Sequence, residues 1–220
     1  MKGLCCKTTL TLITLVIMII TLLMIILLSI YYVKNRDSYY LESINYQVVS
    51  RFNDKDKAAR LLNQMDKLGN NIMNYLSVRK DTAFKKSVFS NIKKYKFGNI
   101  METDPLWTMK NKAATNRDMI RLCLRKKDGS FYPIETLMFV YLHELSHVGT
   151  DKKYIIKGKN KVDSDHPREF WATFHLLLKY AEEFNFDSKM YSVDNFEIYC
   201  DTKIVYNPRF DTALESIINY

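Results

Sequence analysis

The sequence predicts an α+β domain carried behind one N-terminal membrane-spanning helix. Three observations predict it. An uncharged apolar run covers residues 10–33, long segments with helical spacing alternate downstream with short strand-like ones, and 220 residues contain only 6 Gly and 4 Pro. With 47% hydrophobic and 26% charged residues, the chain falls outside the collagen-like, low-complexity and globally disordered classes. The expected organisation is an anchor over residues 1–33, a juxtamembrane stalk over 34–53 and one folded domain over 54–220.

Between Leu10 and Val33 only Thr11, Thr14, Thr21 and Ser29 interrupt the apolar run, which ends at Tyr31-Tyr32. About 20 apolar residues cross a bilayer core as a helix. The run is too long for the apolar region of a signal peptide, and no small-x-small cleavage site follows it. An uncleaved single-pass anchor in the lipid bilayer is therefore expected. Lys2 and Lys7 precede the span, and Lys34 and Arg36 follow it with Asp37 close by; a margin of about one charge leans slightly toward a cytoplasmic N-terminus and a translocated domain, leaving the topology unresolved. None of the 16 Asn begins an Asn-x-Ser/Thr acceptor, which leans against a luminal domain. Cys5 and Cys6 lie beside the span, where palmitoylation is chemically plausible.

The stalk is rich in Tyr and polar residues. From Asp54 to about Lys80, Ala58, Leu61, Leu62, Met65, Leu68, Ile72, Met73 and Leu76 follow steps of three and four. That spacing predicts one long amphipathic helix, capped by Asn53 or Asp54 and weakened in the middle by Gly69-Asn70-Asn71. A shorter helix is expected over 82–95 and a loop over 97–115. Ile120, Leu122 and Leu124 alternate with Arg121, Cys123 and Arg125, as in a strand with one buried face. That strand could be an edge that pairs with another backbone. Lys127-Asp128-Gly129-Ser130 is a turn signal. Pro133 then opens a helix running to Val148, apolar nearly all round and hence buried, with Gly149 as its cap. Pro167 opens a further helix to about Phe186. Short strands are expected near 196–199 and 204–206.

Residues 34–220 carry 31 Lys and Arg against 24 Asp and Glu, a net +7. Such charge suits anionic surfaces, but no nucleic-acid-binding motif accompanies it, so a nucleic-acid partner is not expected. The domain's two cysteines, Cys123 and Cys200, could bridge or stay free.

His143-Glu144-Leu145-Ser146-His147 is an H-E-x-x-H motif on the buried helix. Residues four apart share a helix face, so both imidazoles can reach one Zn²⁺. Glu144 can take a proton from a water and hand it to a leaving amine. With 4 His and 9 Glu in the chain, chance would produce the motif in about 0.3% of such sequences. Two packed core histidines are the bland alternative, but a buried Glu between them would be costly. A third ligand could come from His166, ahead of Pro167, or from Glu169 on the following helix. His175, among Phe174 and Leu176–Leu178, could simply be packed. Asp165 and Glu169 could orient a ligating histidine. Tyr199 or Tyr206 could stabilise an oxyanion.

His166-Pro167-Arg168-Glu169-Phe170-Trp171, downstream of H-E-L-S-H, resembles the H-G-P-E-F-W segment of SprT-like and WLM-domain zinc metalloproteases. The stretch IRLCLRKKDGSFYPIETLMFVYLHELSHV resembles a WLM-like branch found in large DNA viruses. There a strand, an Asp-Gly turn and the H-E-x-x-H helix follow in the same order. EIYCDTKIVYNP is similar to that branch's YCG tail. The likeness covers about residues 118–208 and, more loosely, the helix from Asp54. Pro167 and Asp201 stand where the family has Gly, and no Cys-x-x-Cys ribbon follows. The resemblance implies a zincin-like metallopeptidase domain, one Zn²⁺ per chain on His143, His147 and His166, Glu144 as the catalytic base, and a protein or peptide substrate. The anchor read from the apolar run, together with the likeness to a viral branch, makes a viral or host intracellular membrane the expected location, though an anchor sits poorly with the DNA–protein crosslink repair known for the family. A catalytically silent zinc-binding interaction module is the alternative that the same motif allows.

Overall fold

The computed structural model describes residues 3–34, 36–41, 44–105, 114–115, 118–151 and 166–220. The chain divides into two units, Met1–Asp37 and Ser38–Tyr220.

In the first unit Gly3–Lys34 is a single helix, α1. Its stretch Ile13–Tyr31 is long and apolar enough to cross a bilayer, and none of it is buried within the protein. The hydroxyls of Thr21 and Ser29 donate to the carbonyls of Met18 and Ile25, at 2.9 and 2.8 Å. Each therefore has a partner inside its own helix, as an apolar environment requires.

The second unit is α+β. Its elements run β1 (Arg36–Leu41), β2 (Ile44–Val49), α2 (Lys55–Arg79), α3 (Ala83–Ile92), β3 (Ile100–Glu102), β4 (Ala114–Thr115), β5 (Ile120–Leu122), α4 (Ile134–Gly149), α5 (Arg168–Glu182), β6 (Glu197–Tyr199), β7 (Thr202–Ile204) and a final short helix, α6 (Glu215–Ile218). The main sheet has the order β1-β2-β3-β5-β4. β2, β3 and β5 are parallel, and β4 pairs antiparallel with β5. α2 packs on β2 and β3, α4 on β4 and β5, and α3 and α5 pack against α4.

Both main helices follow their sequence signals. α2 buries Ala58, Leu62, Met65, Leu68, Ile72, Met73 and Leu76, the face that the three-and-four spacing marks out. Gly69 does more than weaken it. A Cβ there would stand 2.2 Å from the Tyr141 hydroxyl oxygen, so the glycine lets α4 approach. α4 is buried at Leu137, Phe139, Val140, Leu142, Leu145 and Val148.

Several expectations need correction. Residues 44–49, expected in the stalk, form β2, and Tyr46, Val48 and Val49 are buried in the core. Residues 100–102, expected in a loop, form β3 near the centre of the sheet, buried throughout. β5 is no edge strand, because β3 and β4 flank it. Within β5 the expected alternation holds, Ile120 and Leu122 buried and Arg121 not, but beyond its end Cys123 and Arg125 are buried alongside Leu124. Asp54 precedes α2 without capping it by its side chain. Its carboxylate pairs with Arg125 Nη1 at 2.8 Å. That guanidinium also donates to Glu102 Oε1 at 2.8 Å and lies between the rings of Phe52 and Phe131. Glu102 Oε2 accepts the Val49 N–H at 2.8 Å. One buried arginine thus joins β2, β3, the start of α2 and the end of β5.

Candidate metal centre

α4 supplies two of the three converging histidines. His143 and His147 sit one turn apart on one face, with ring centroids 5.0 Å apart. The helix holds its last turn through local hydroxyls: Ser146 Oγ donates to the Leu142 carbonyl at 2.6 Å and Thr150 Oγ1 to that of Ser146 at 2.8 Å. His166 arrives from the residues just ahead of α5. Its Nε2 lies 3.2 Å from Nε2 of His143 and 3.2 Å from Nε2 of His147.

Phe170 sits one turn beyond His166 and floors the cluster. Its ring centroid lies 4.9, 4.4 and 4.5 Å from those of His143, His147 and His166. Burial in this apolar setting, with the neighbouring rings of His147 and His166, holds the pKa of His143 well below the ordinary value. The imidazole is kept neutral, which is the form that ligates a metal.

These residues fit a metal ion. Three imidazoles each offer one ring nitrogen, all within 4.8 Å of one another, a donor set that Zn²⁺ takes. Two ligands at 2.0–2.1 Å from a tetrahedral ion stand about 3.3 Å apart, close to the 3.2 Å observed. Among the described residues the group that could hold an ion is His143, His147 and His166.

Glu144, on the same turn of α4, is buried, and burial pushes its pKa up to about 8. Its charge reaches Tyr199, whose pKa is raised well above 10.0 by burial first and by Glu144 in part.

The other expected site residues divide. Glu169 is not part of the histidine group. It lines a separate cavity of 480 Å³ with Phe84, Thr150, Asp151 and Thr173. Asp165 lies outside the described residues. His175 is packed, with Nδ1 2.8 Å from the Pro208 carbonyl. The Tyr199 hydroxyl accepts the Cys123 N–H at 2.8 Å, and Tyr206 donates its proton to Asp211 Oδ2 at 2.8 Å. Cys123 and Cys200 are joined as a disulfide. The Phe170 floor was not anticipated. Its position four residues after His166 was the available signal, since that spacing puts both on one face once α5 begins.

The chain is similar to a protein of a giant virus. It is 27% identical over 157 residues to "Uncharacterized protein R325" of Acanthamoeba polyphaga mimivirus, covering 70% of this chain and 74% of that protein. No protein-family model and no solved structure matches it.

Proposed function

We propose that the protein is a membrane-anchored zinc metallopeptidase with a zincin-like domain of the SprT-like/WLM type. One observation carries the reading: His143 and His147 of an H-E-x-x-H helix meet His166 at ligand spacing, with a buried Glu144 on the same turn. The three histidines would hold one Zn²⁺, leaving a fourth position open. The ion, when bound, would polarise a peptide carbonyl and acidify a water. Glu144 takes the proton from the attacking water and returns it to the leaving amine. A pKa near neutrality suits a group that must do both, and a neighbouring cation favours its ionised form. The substrate is a protein or peptide. Residues 10–33 anchor the chain in a viral or host intracellular membrane. The likeness to a mimivirus protein supports the large-DNA-virus branch.

The test uses the full chain in detergent micelles, with Glu144→Gln and His166→Ala variants. About one zinc per chain is expected in the parent protein and in Glu144→Gln, with little retained by His166→Ala. Peptide cleavage is expected only in the parent. Zinc held without cleavage of any peptide offered would favour the silent interaction module. A parent protein that takes up no zinc would remove the metal centre itself.

A further inference from the structure

We propose that Trp171 and Tyr206 form an apolar subsite beside the metal centre, selecting polypeptides with a large apolar side chain next to the bond to be cut. The proposal rests on the peptidase reading and names the substrate class of that site.

Two aromatic residues step away from the histidine cluster. The Trp171 centroid lies 5.5 Å from that of His166, and the Tyr206 ring meets Trp171 edge-on at 5.1 Å, with planes 82° apart. Trp171 packs against the core from α5 but stays half-buried, and Tyr206 is 40% exposed.

Tyr206 and the residues after it are held by hydrogen bonds and an ion pair. Tyr206 Oη donates to Asp211 Oδ2, and Asp211 Oδ1 accepts the Ala213 N–H at 3.0 Å. Asn207 Nδ2 donates to the Lys189 carbonyl at 2.6 Å, and Arg209 makes a two-pronged pair with Glu182 at 2.8–2.9 Å. A ring fixed in advance loses little freedom when a ligand covers it.

Exposed apolar side chains are also frequent in the stretch of sequence around Tyr206. Among the described residues outside α1, seven of the nine exposed large apolar side chains fall between residues 190 and 210. Ile198 is 55% exposed and Val205, next to Tyr206, is 39% exposed.

With the reacting carbonyl at the histidine cluster, the side chain beside the bond falls over Trp171, with the Tyr206 ring edge-on beside it. Neutral rings reward apolar area, so a Phe or Leu there gains where a Ser does not.

The test uses the zinc-loaded full-length Glu144→Gln protein in detergent micelles. Fluorescently labelled peptides differ only in carrying Phe, Ser or Lys at the residues flanking the central bond, and binding is read by anisotropy. About tenfold tighter binding of the Phe peptide than of the Ser peptide is expected. That ratio should fall to near one in Trp171→Ala or Tyr206→Ser, with zinc content unchanged, and Trp171→Phe should restore most of it. Equal binding of all three peptides, binding of none, or a preference surviving in both variants would overturn the subsite. The parent protein separates the two readings. Selective binding of the Phe peptide without its cleavage would sink the peptidase and leave the subsite. Cleavage of Phe and Ser peptides with equal kcat/KM would sink the subsite and leave the peptidase.

Discussion

Asp66 sits on the buried face of α2 with 1% of its surface exposed. Its Oδ1 accepts the Gly98 N–H at 3.0 Å. Burial outweighs that bond and raises its pKa from 3.8 to about 6. The folded protein therefore holds the proton more tightly than the unfolded chain. Stability contributed by the neutral carboxyl is fully present below about 3.8, falls as pH rises through the window, and is lost above about 6. The Asn variant cannot ionise and can still accept from Gly98. Asp66→Asn should therefore flatten this part of the stability profile and stabilise the protein at pH 7.5 by about 1–2 kcal/mol, allowing for residual solvation. Denaturant titrations at pH 4.5 and 7.5 measure it. An equal shift at both pH values would mean that ionisation is not the cause. Gly69 presents the opposite case. The Tyr141 hydroxyl is 2.2 Å from where a Cβ would stand and the Phe97 ring 2.8 Å, and Tyr141 is fully buried. Helix propensity favours Ala by about 1 kcal/mol, yet Gly69→Ala should destabilise by about 1–3 kcal/mol because the clash wins.

The β6–β7 hairpin shows how one element is fastened to another. Its two-residue turn, Cys200-Asp201, has φ of 45° and 61°, the left-handed pair that this turn type needs. The disulfide from Cys200 to Cys123 and the Cys123 N–H to Tyr199 Oη bond tie it to the residue after β5, and Cys200 N–H to Tyr132 Oη at 2.9 Å ties it to the segment ahead of α4. Replacing both cysteines by Ala should lower stability by about 2–5 kcal/mol, since the bond spans 77 residues. Zinc content should not change, because no metal-site histidine lies on the hairpin. Asp201→Gly should act the other way, by about 0.5–1 kcal/mol, as glycine adopts positive φ without strain. It gives up only an exposed pair with Lys127. Elements with many periodic residues were legible in the sequence: α2, α4 and α5 each show a full apolar face, and H-E-x-x-H placed two site histidines unaided. β3 was not legible, because three residues carry no period and Glu102 looks like surface. Its burial is decided by Arg125, Val49 and Asp54, which only folding brings together. β2 was hidden in the same way by its Asn, Tyr and Gln. The third histidine stood open against Glu169 by spacing alone, and the H-P-R-E-F-W resemblance favoured His166. The pairing of Trp171 with Tyr206, 35 positions apart, had no sequence signal.

At the scale of the whole molecule, the three histidines of the candidate metal centre all lie within Ser38–Tyr220. None of the apolar stretch Ile13–Tyr31 is buried. α4 and the start of α5 meet through the histidines, so an ion held there would bind the folded chain and not the unfolded one. Ligand linkage then adds about 4 kcal/mol when free zinc exceeds its Kd a thousandfold. For a domain of this size that corresponds to a melting temperature roughly 10 °C higher. A chelator should remove the increment and added zinc should restore it, while His166→Ala should show neither change. A chain beginning at Ser38 should remain in solution without detergent and show the same zinc-dependent shift as the full chain. A truncated chain that keeps its fold but loses the shift would mean that the anchor helps to build the site. A His166→Ala protein that keeps the shift would mean that zinc acts elsewhere, and the three-histidine centre would have to be abandoned.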